Sequence, residues 1–516
     1  MNKTVTVFIT LILLSTINYA QTLKIGLASG ALTMDPHARD EIATISVLSN
    51  IFDSLVSFDK NLKVYPNLAI SWTNPTPKVW IVKLKENIKF HNGNKFNADD
   101  VVFSFDRIKH WEKSGFKGKV NMIVSATKID DYTVKFVTKK PYPVFLKKLT
   151  YVTILDEETL KGKSDEWIAI HPMGTGPYQF ISWSKGDHIS LKANSNYWRG
   201  KADYDNLLFK PLTNNATRVA AILSTEVDII NRVPVMDIKR VKKRENLQFF
   251  EQAGLRLIYL QMDQERDKSP FVTTANGQNP LKDLRVRKAI YYGIDEEAIV
   301  KYIMRGFALP AAQFSPKAVF GSDMSITRVQ HNRKKAKQLL KEAGYPDGFE
   351  IQLDAPNNRY VNDAQIAQAV ATTLAKIGIR VRVNAVPKSR FFDKVRRLDS
   401  SFLLIGWENS DGDASSILDA CIHSFSQTEG YGRYNYGRFS NPEADKLIRK
   451  SANIMDSVKR LSYLQKAQKV ALVDQQCIIP LHFQVDLYAA NKKVDFKPRV
   501  DGQIWAFDIK KKREPL

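Results

Sequence analysis

A mixed α/β chain of about three domains is the fold class this sequence predicts, and three observations carry the prediction. Segments that read as strands and as helices alternate irregularly from about residue 23 onward. The 516 residues are 44% hydrophobic and 10% aromatic, which is enough for large cores. At roughly 100 to 200 residues per domain they divide into about three units. The 24 glycines and 21 prolines fall without a period, so collagen-like and low-complexity architectures are excluded. With only two cysteines the chain is not a disulfide-built miniprotein either.

The first element is an export signal. Lys3 gives a positive start, Val5 to Ile17 is a predominantly apolar stretch, and Ala20 stands where a signal peptidase would cut before Gln21. That run is shorter than the about 20 apolar residues a bilayer span requires. Residues 1–20 are therefore read as a signal peptide and the mature chain as periplasmic. No cysteine follows the apolar run, so a lipid anchor is not expected. Export places Cys421 and Cys477 in an oxidising space where a disulfide can form, although nothing in the sequence brings them together.

The remaining elements follow from periodicity and caps. Leu23 to Ala28 reads as a strand, Thr44 to Leu55 as a helix, and Val79 to Leu84 as a strand with alternating apolar positions. After Asn97, a helix over Ala98 to Ile108 opens with Asp99 and Asp100, acidic residues that suit a first turn. Asn332 precedes a helix over Lys334 to Ala343 that Gly344 and Pro346 stop. Ala364 to Lys376 repeats that format, with Asn362 or Asp363 as cap and Gly378 as stop. Strands over Ile379 to Ala385 and Phe402 to Trp407 come next, and Pro442 opens an amphipathic helical region that continues to about Asp474. Neither an internal repeat nor a long Gly/Ser linker occurs, so short structured crossings must join the domains.

Charge narrows the function classes. Lys plus Arg number 77 against 54 Asp plus Glu, a formal net charge of +23. The denser basic runs, Lys239 to Arg244 and Lys510 to Arg513, contain no interleaved aromatics for base stacking, so nucleic acid is not an expected partner. A solvated basic surface, or attraction to an anionic envelope or solute, fits better. The chain has no phosphate-binding glycine loop ending in Gly-Lys-Ser/Thr, no Gly-x-Ser-x-Gly elbow and no His-Glu-x-x-His. The eight histidines lie far apart, so no metal site is expected. Asp411 and Asp413 flank Gly412 and read either as paired carboxylates for acid/base work or as a loop that caps the next helix through Asp413.

Several stretches together resemble one family. They are Tyr65 to Trp72; Ile88 to Gly93 with Asn97 to Val101; Gly174 to Tyr178; Asn196-Tyr197-Trp198; and Leu284 to Ile290. Later come Ala336 to Gly344, Gly406-Trp407, Tyr434-Asn435-Tyr436 leading to Ser440-Asn441-Pro442, and Ile479 to His482. In this order they resemble family 5 extracellular solute-binding proteins, the receptors of peptide and nickel ABC importers. The resemblance implies an α/β, two-lobed periplasmic-binding-protein fold with an additional small α/β domain, three domains in all. Lobe I would combine residues 21–58, 172–262 and 490–516, the extra domain 59–171, and lobe II 263–489. The crossings would lie near Leu260 to Asp263 and Ala489 to Lys492. It further implies no catalysis, no cofactor, a monomer, a small peptide-like solute, and ABC importer permease subunits in the inner membrane as partners.

Candidate ligand residues follow from the resemblance and from residue chemistry. Peptide-binding members place an aspartate three residues after the tryptophan matching Trp407, where it pairs with the peptide's amine. Here that position is Ser410, between Asn409 and Asp411, so a small loop shift would be needed for Asp411 to make the ion pair. Arg359, beside Tyr360 and Asn362 in a strand-to-helix loop, suits a carboxylate or phosphate held bidentately, and Asn362 alternatively only caps. Arg39 and Glu41 in the first loop, Arg256 before the hinge, Trp407 as a stacking surface, and Tyr434 and Asn435 in a glycine-bounded loop complete the set. A di- or oligopeptide is the expected cargo. An opine-like or phosphorylated sugar conjugate is the alternative that Ser410 and the arginines suggest, and a secreted hydrolase using Asp411 and Asp413 is the alternative from a different class. Nickel is disfavoured by the scattered histidines, and haem has no specific ligand.

Overall fold

The computed structural model describes residues 20–512. The expected signal peptide, apart from Ala20, lies outside the described residues.

Two long antiparallel strands, Leu247–Met262 and Ile478–Asn491, form the spine. Their pairing runs from Leu247 opposite Asn491 to Gln261 opposite Ile478, with register shifts between Ala253 and Leu257 and between Ile258 and Tyr259. On one side of the first shift, Ile229–Asn231 pairs with Tyr488 to Ala490, and Thr22–Leu27, Asn206–Pro211, His188–Ala193 and Tyr178–Ser184 extend the sheet. On the other side, Phe402–Glu408 pairs with Arg256 to Met262, and Phe349–Pro356 and Ile379–Val386 add parallel strands.

Packing divides where the register breaks. Leu247, Leu487 and Ala489 belong to one core, whereas Ile258, Leu260, Met262, Ile479 and Leu481 belong to another. The change of core therefore falls at residues 253–257 and 483–487 of the two strands. The cause is burial: Ile258 to Met262 already point into the apolar surface of the second lobe. Gly254 sits at the break, where a Cβ would lie 2.8 Å from the carbonyl oxygen of Gln484, so a side chain there would force the strands apart.

A separate four-stranded antiparallel sheet, in the order Ala69–Thr76, Val79–Leu84, Thr133–Thr138, Ile123–Asp130, packs against the helix Ala98–His110. Its core extends from Leu55 to Ile154, while Leu155, Leu160 and Ile168 pack on the first lobe. The helix begins as its sequence dictates. Asn97 Oδ1 accepts from Asp99 N at 2.7 Å and Asp100 Oδ2 accepts from Asn97 N at 2.9 Å, a capping box.

Two helices differ from expectation. The one predicted over Thr44 to Leu55 occupies Ile42–Leu48 only. Beyond it the carbonyls of Asn50 and Ile51 accept from Tyr178 N and Gly176 N, both at 2.9 Å. A Cβ on Gly174 would lie 2.1 Å from the Ile51 carbonyl oxygen, so glycine is what lets the returning chain lie against the first lobe. The long helical region after Pro442 reaches Asp474 as expected but is interrupted: Pro442–Asn453 is followed by Ser457–Gln468, which runs on as the π-helical Lys469–Asp474, and the break falls where Asp456 caps the second helix through Lys459 N at 2.8 Å.

Candidate functional site

A cleft of about 1270 Å³ opens between the two lobes and the extra domain. The loop after the strand Phe349–Pro356 supplies Arg359 and Tyr360. It is held by the Asp363 carboxylate, which accepts from Arg359 N at 2.9 Å and Tyr360 N at 3.0 Å. Tyr360 is buried against Gly406, where a Cβ would lie 3.0 Å from the ring and 2.9 Å from Ile258. The guanidinium carbons of Arg256 and Arg359 each lie 5.8 Å from the centroid of the Tyr360 ring. Arg256 is the register partner of Glu408 and forms an ion pair with it. Burial, followed by the like charge of Arg359, lowers Arg256 to about 10.

The strand Phe402–Glu408 carries Trp407 to the cleft, where its indole N–H donates to Ser416 Oγ at 3.3 Å. Trp407 meets Tyr434 with ring centroids 5.3 Å apart, and Tyr434 meets Tyr436 edge-on at 6.2 Å. These rings make an aromatic wall with polar tips. Arg39 and Glu41 reach the same cleft from the first loop, and Ser410 from the loop that follows Phe402–Glu408.

The lining is strongly unbalanced in charge. Eight arginines and two lysines face it, against two glutamates and three aspartates. Two of those acids are neutralised in place: Glu408 by Arg256, and Asp501 by Arg499 at 2.7 Å. A third, Asp53, is buried beneath Thr175, Tyr197 and Trp198, and burial raises its pKa. Chemically, such a site favours solutes that bring negative charge.

Four sequence-predicted ligand residues have their side-chain groups engaged within the protein. Asp411 is buried, and its Oδ1 accepts from Lys119 Nζ and Tyr151 Oη, each at 2.8 Å, while its Oδ2 pairs with Lys148. Burial alone would raise its pKa, but Lys148 and Lys119 outweigh that and hold the carboxyl well below the usual range. With both oxygens occupied by the protein's own donors, Asp411 offers nothing to a solute amine. Asn409 is fully buried: its amide donates to the carbonyls of Leu255 and Phe314 at 3.2 Å and its oxygen accepts from Ser315 Oγ. Asn435 lies along the cleft but commits its side chain to His423 O, Phe439 O and Phe439 N. Asn362 occupies the cap position in a left-handed conformation, yet its amide donates to Ile303 O at 2.9 Å and its side chain caps nothing.

Asp413 is equally committed, to Arg460 through two bonds of 2.8 and 2.7 Å and to Lys147 at 3.1 Å, so the pair Asp411 and Asp413 is a set of ion-pair anchors and not an acid/base couple. The disulfide considered above is also corrected. Cys421 and Cys477 are free, buried thiols that burial pushes well above their ordinary pKa. Each packs in the apolar core of the second lobe.

Sequence reasoning missed Lys119 and Tyr151 from the extra domain, and Arg232, Lys388 and Arg499, all of which face the cleft. Lys119 and Tyr151 lie more than 250 residues from the acid they hold, and no local pattern marks such a pairing. Arg232 ends a strand-like run, Ile229-Ile230-Asn231, at a point where a polar turn residue raises no suspicion.

With this geometry in view, comparison with known proteins is specific. The family model described as bacterial extracellular solute-binding proteins, family 5 Middle, matches residues 63–429. The chain is 27% identical over 464 residues to the dipeptide-binding protein of Escherichia coli, covering 84% of each. It is 26% identical over 455 residues to the glutathione-binding protein GsiB of Pectobacterium atrosepticum, covering 86% of this chain and 85% of that one. Among solved structures it superimposes on HbpA2 of Haemophilus parasuis with a TM-score of 0.83 at 27% identity, over 95% of this chain and 100% of the other.

Proposed function

Because the chain belongs to the bacterial extracellular solute-binding proteins of family 5, which bind solutes without transforming them, we propose that it is the exported, monomeric receptor of an ABC importer, carrying a peptide-sized, carboxylate-bearing solute to the permease. Lobe I comprises the half of the continuous sheet that contains Thr22–Leu27, lobe II the half that contains Phe349–Pro356, and the two spine strands bend at 253–257 and 483–487 to close one over the other. Cargo favours the closed form only through contacts it makes to both lobes at once.

The observation that carries this reading is the cationic cleft with Arg359 on its lobe II wall, in no ion pair among the described residues. A guanidinium beside the Tyr360 ring is suited to a planar carboxylate. Relatives that bind a dipeptide and glutathione support a peptide-like cargo. The commitment of Asp411 to Lys119 and Lys148 favours the second reading, an opine-like or phosphorylated conjugate that needs no acid for a free amine.

Native mass spectrometry of the purified protein should reveal retained cargo, and a thermal-shift panel of peptides should rank candidates. A ligand present at 100 times its dissociation constant stabilises the fold by about 2.7 kcal/mol. Arg359→Ala should remove most of the rise for a carboxylate-bearing peptide. A rise that survives the substitution unchanged would discard Arg359 as the carboxylate anchor.

A further inference from the structure

Arg232 follows the strand Ile229–Asn231 with φ +50°, in the left-handed region that side-chain-bearing residues resist. The backbone there is clamped. Arg218, 1% exposed, donates Nε to Asn231 O at 3.1 Å, Nη2 to Arg232 O at 2.8 Å and Nη1 to Leu212 O at 2.7 Å. Val233 N donates to Leu487 O at 3.1 Å, and Asn231 Oδ1 accepts from Ala28 N at 2.8 Å. One buried guanidinium thus fixes the carbonyls on both sides of a strained residue, and strain held in this way clusters at binding sites. The Arg232 side chain itself reaches the cleft, exposed and in no ion pair among the described residues.

Across the cleft stand Arg256 and Arg359, flanking Tyr360. Arg256 feels Arg232 as well as Arg359 as a like charge. The acids nearby do not balance the three. Glu408 serves Arg256, Asp501 serves Arg499, and Asp486 is half-buried, with desolvation raising its pKa despite Arg232 and Arg256. Guanidiniums from both lobes therefore repel one another across the cleft, and an anion placed among them converts that repulsion into attraction.

We propose that Arg232 is the lobe I half of an anion subsite whose other half is Arg256 and Arg359, so that the cargo carries a second anionic group, carboxylate or phosphate, and closure is driven by its capture from both lobes. This rests on the receptor reading above and narrows its substrate to acidic solutes with at least two negative groups.

The test uses matched probes on the full mature chain: Ala-Glu and Ala-Gln, which differ by one side-chain carboxylate, and inorganic pyrophosphate, each measured by calorimetric titration. Wild type should bind Ala-Glu at least 10-fold tighter than Ala-Gln. Arg232→Asn, a residue that tolerates the left-handed backbone, should shrink that ratio below threefold with little change for Ala-Gln, and Arg232→Lys should restore part of it. A ratio that persists in Arg232→Asn, or no preference in wild type, overturns the subsite. If neither peptide binds but pyrophosphate does so in an Arg232-dependent way, the subsite stands with phosphate as its occupant and the peptide-like reading falls. Binding of none of the three probes to wild type counts against both.

Discussion

Asp419 and Asp411 sit in neighbouring turns of the second lobe, yet the fold drives their proton affinities apart. Asp411 has two lysines on it, whereas Asp419 has a buried Oδ1 with no hydrogen-bond partner. Burial raises Asp419 to about 7, helped by Asp413 and opposed by Arg460, Lys148 and Lys140. A carboxyl whose folded pKa lies above its unfolded value near 4 favours the folded state fully below that value and loses this contribution as pH climbs through about 7. Asp419→Asn should accordingly raise the melting temperature at pH 8 and change it little at pH 4. Equal effects at both pH values would show that Asp419 does not titrate in this range. None of this is legible in sequence, where Asp411, Asp413 and Asp419 look alike. That Arg359 would face the cleft was legible because a strand-to-helix loop with a planar cation is a local signal, whereas the position of Arg232 was not, because Arg218 and a backbone angle set it.

At the scale of elements, the loop 409–413 is a clasp between the extra domain and lobe II. Lys119 lies in the helix Lys117–Val120, Lys147 and Lys148 in Phe145–Leu149, and together with Tyr151 they seize Asp411, Gly412 O and Asp413. Removing one partner from a buried charge network leaves the others uncompensated, at a cost of about 3 kcal/mol. Asp411→Ala should lower the melting temperature by several degrees while leaving the preference between Ala-Glu and its N-acetylated form unchanged, because the acid serves lysines and not cargo. A selective loss for the free amine, measured by titration, would return Asp411 to the binding site. Individual elements were readable where their caps are local. Asn97, Asn332 and Asn441 each start the helix that the sequence announced. The break at Asp456 was not, since the amphipathic pattern runs through it and only packing of the two helices against each other requires a turn. The clasp was invisible for the opposite reason: its partners are 260 to 292 residues apart.

For the whole molecule, lobe architecture follows from two strands that belong to two cores. The resemblance carried by ordered motifs pointed to the right family and fold, whereas motif order says nothing about which face of Leu257 to Met262 is buried. The same spine explains how capture works. The pairing of the two strands is regular except at the shift beside Gly254 and the shift between Ile258 and Tyr259, so in the proposed receptor bending falls in this segment, and lobe I, with Arg232, swings toward Arg256 and Arg359 with both cores kept intact. Small-angle scattering of the mature protein, stripped of cargo and then saturated with the acidic solute that its native mass spectrum identifies, tests this most directly. The radius of gyration should fall on saturation and recover on removal, with the solute returned chemically intact. Superimposable profiles with and without bound solute would contradict a clamp that closes on its cargo.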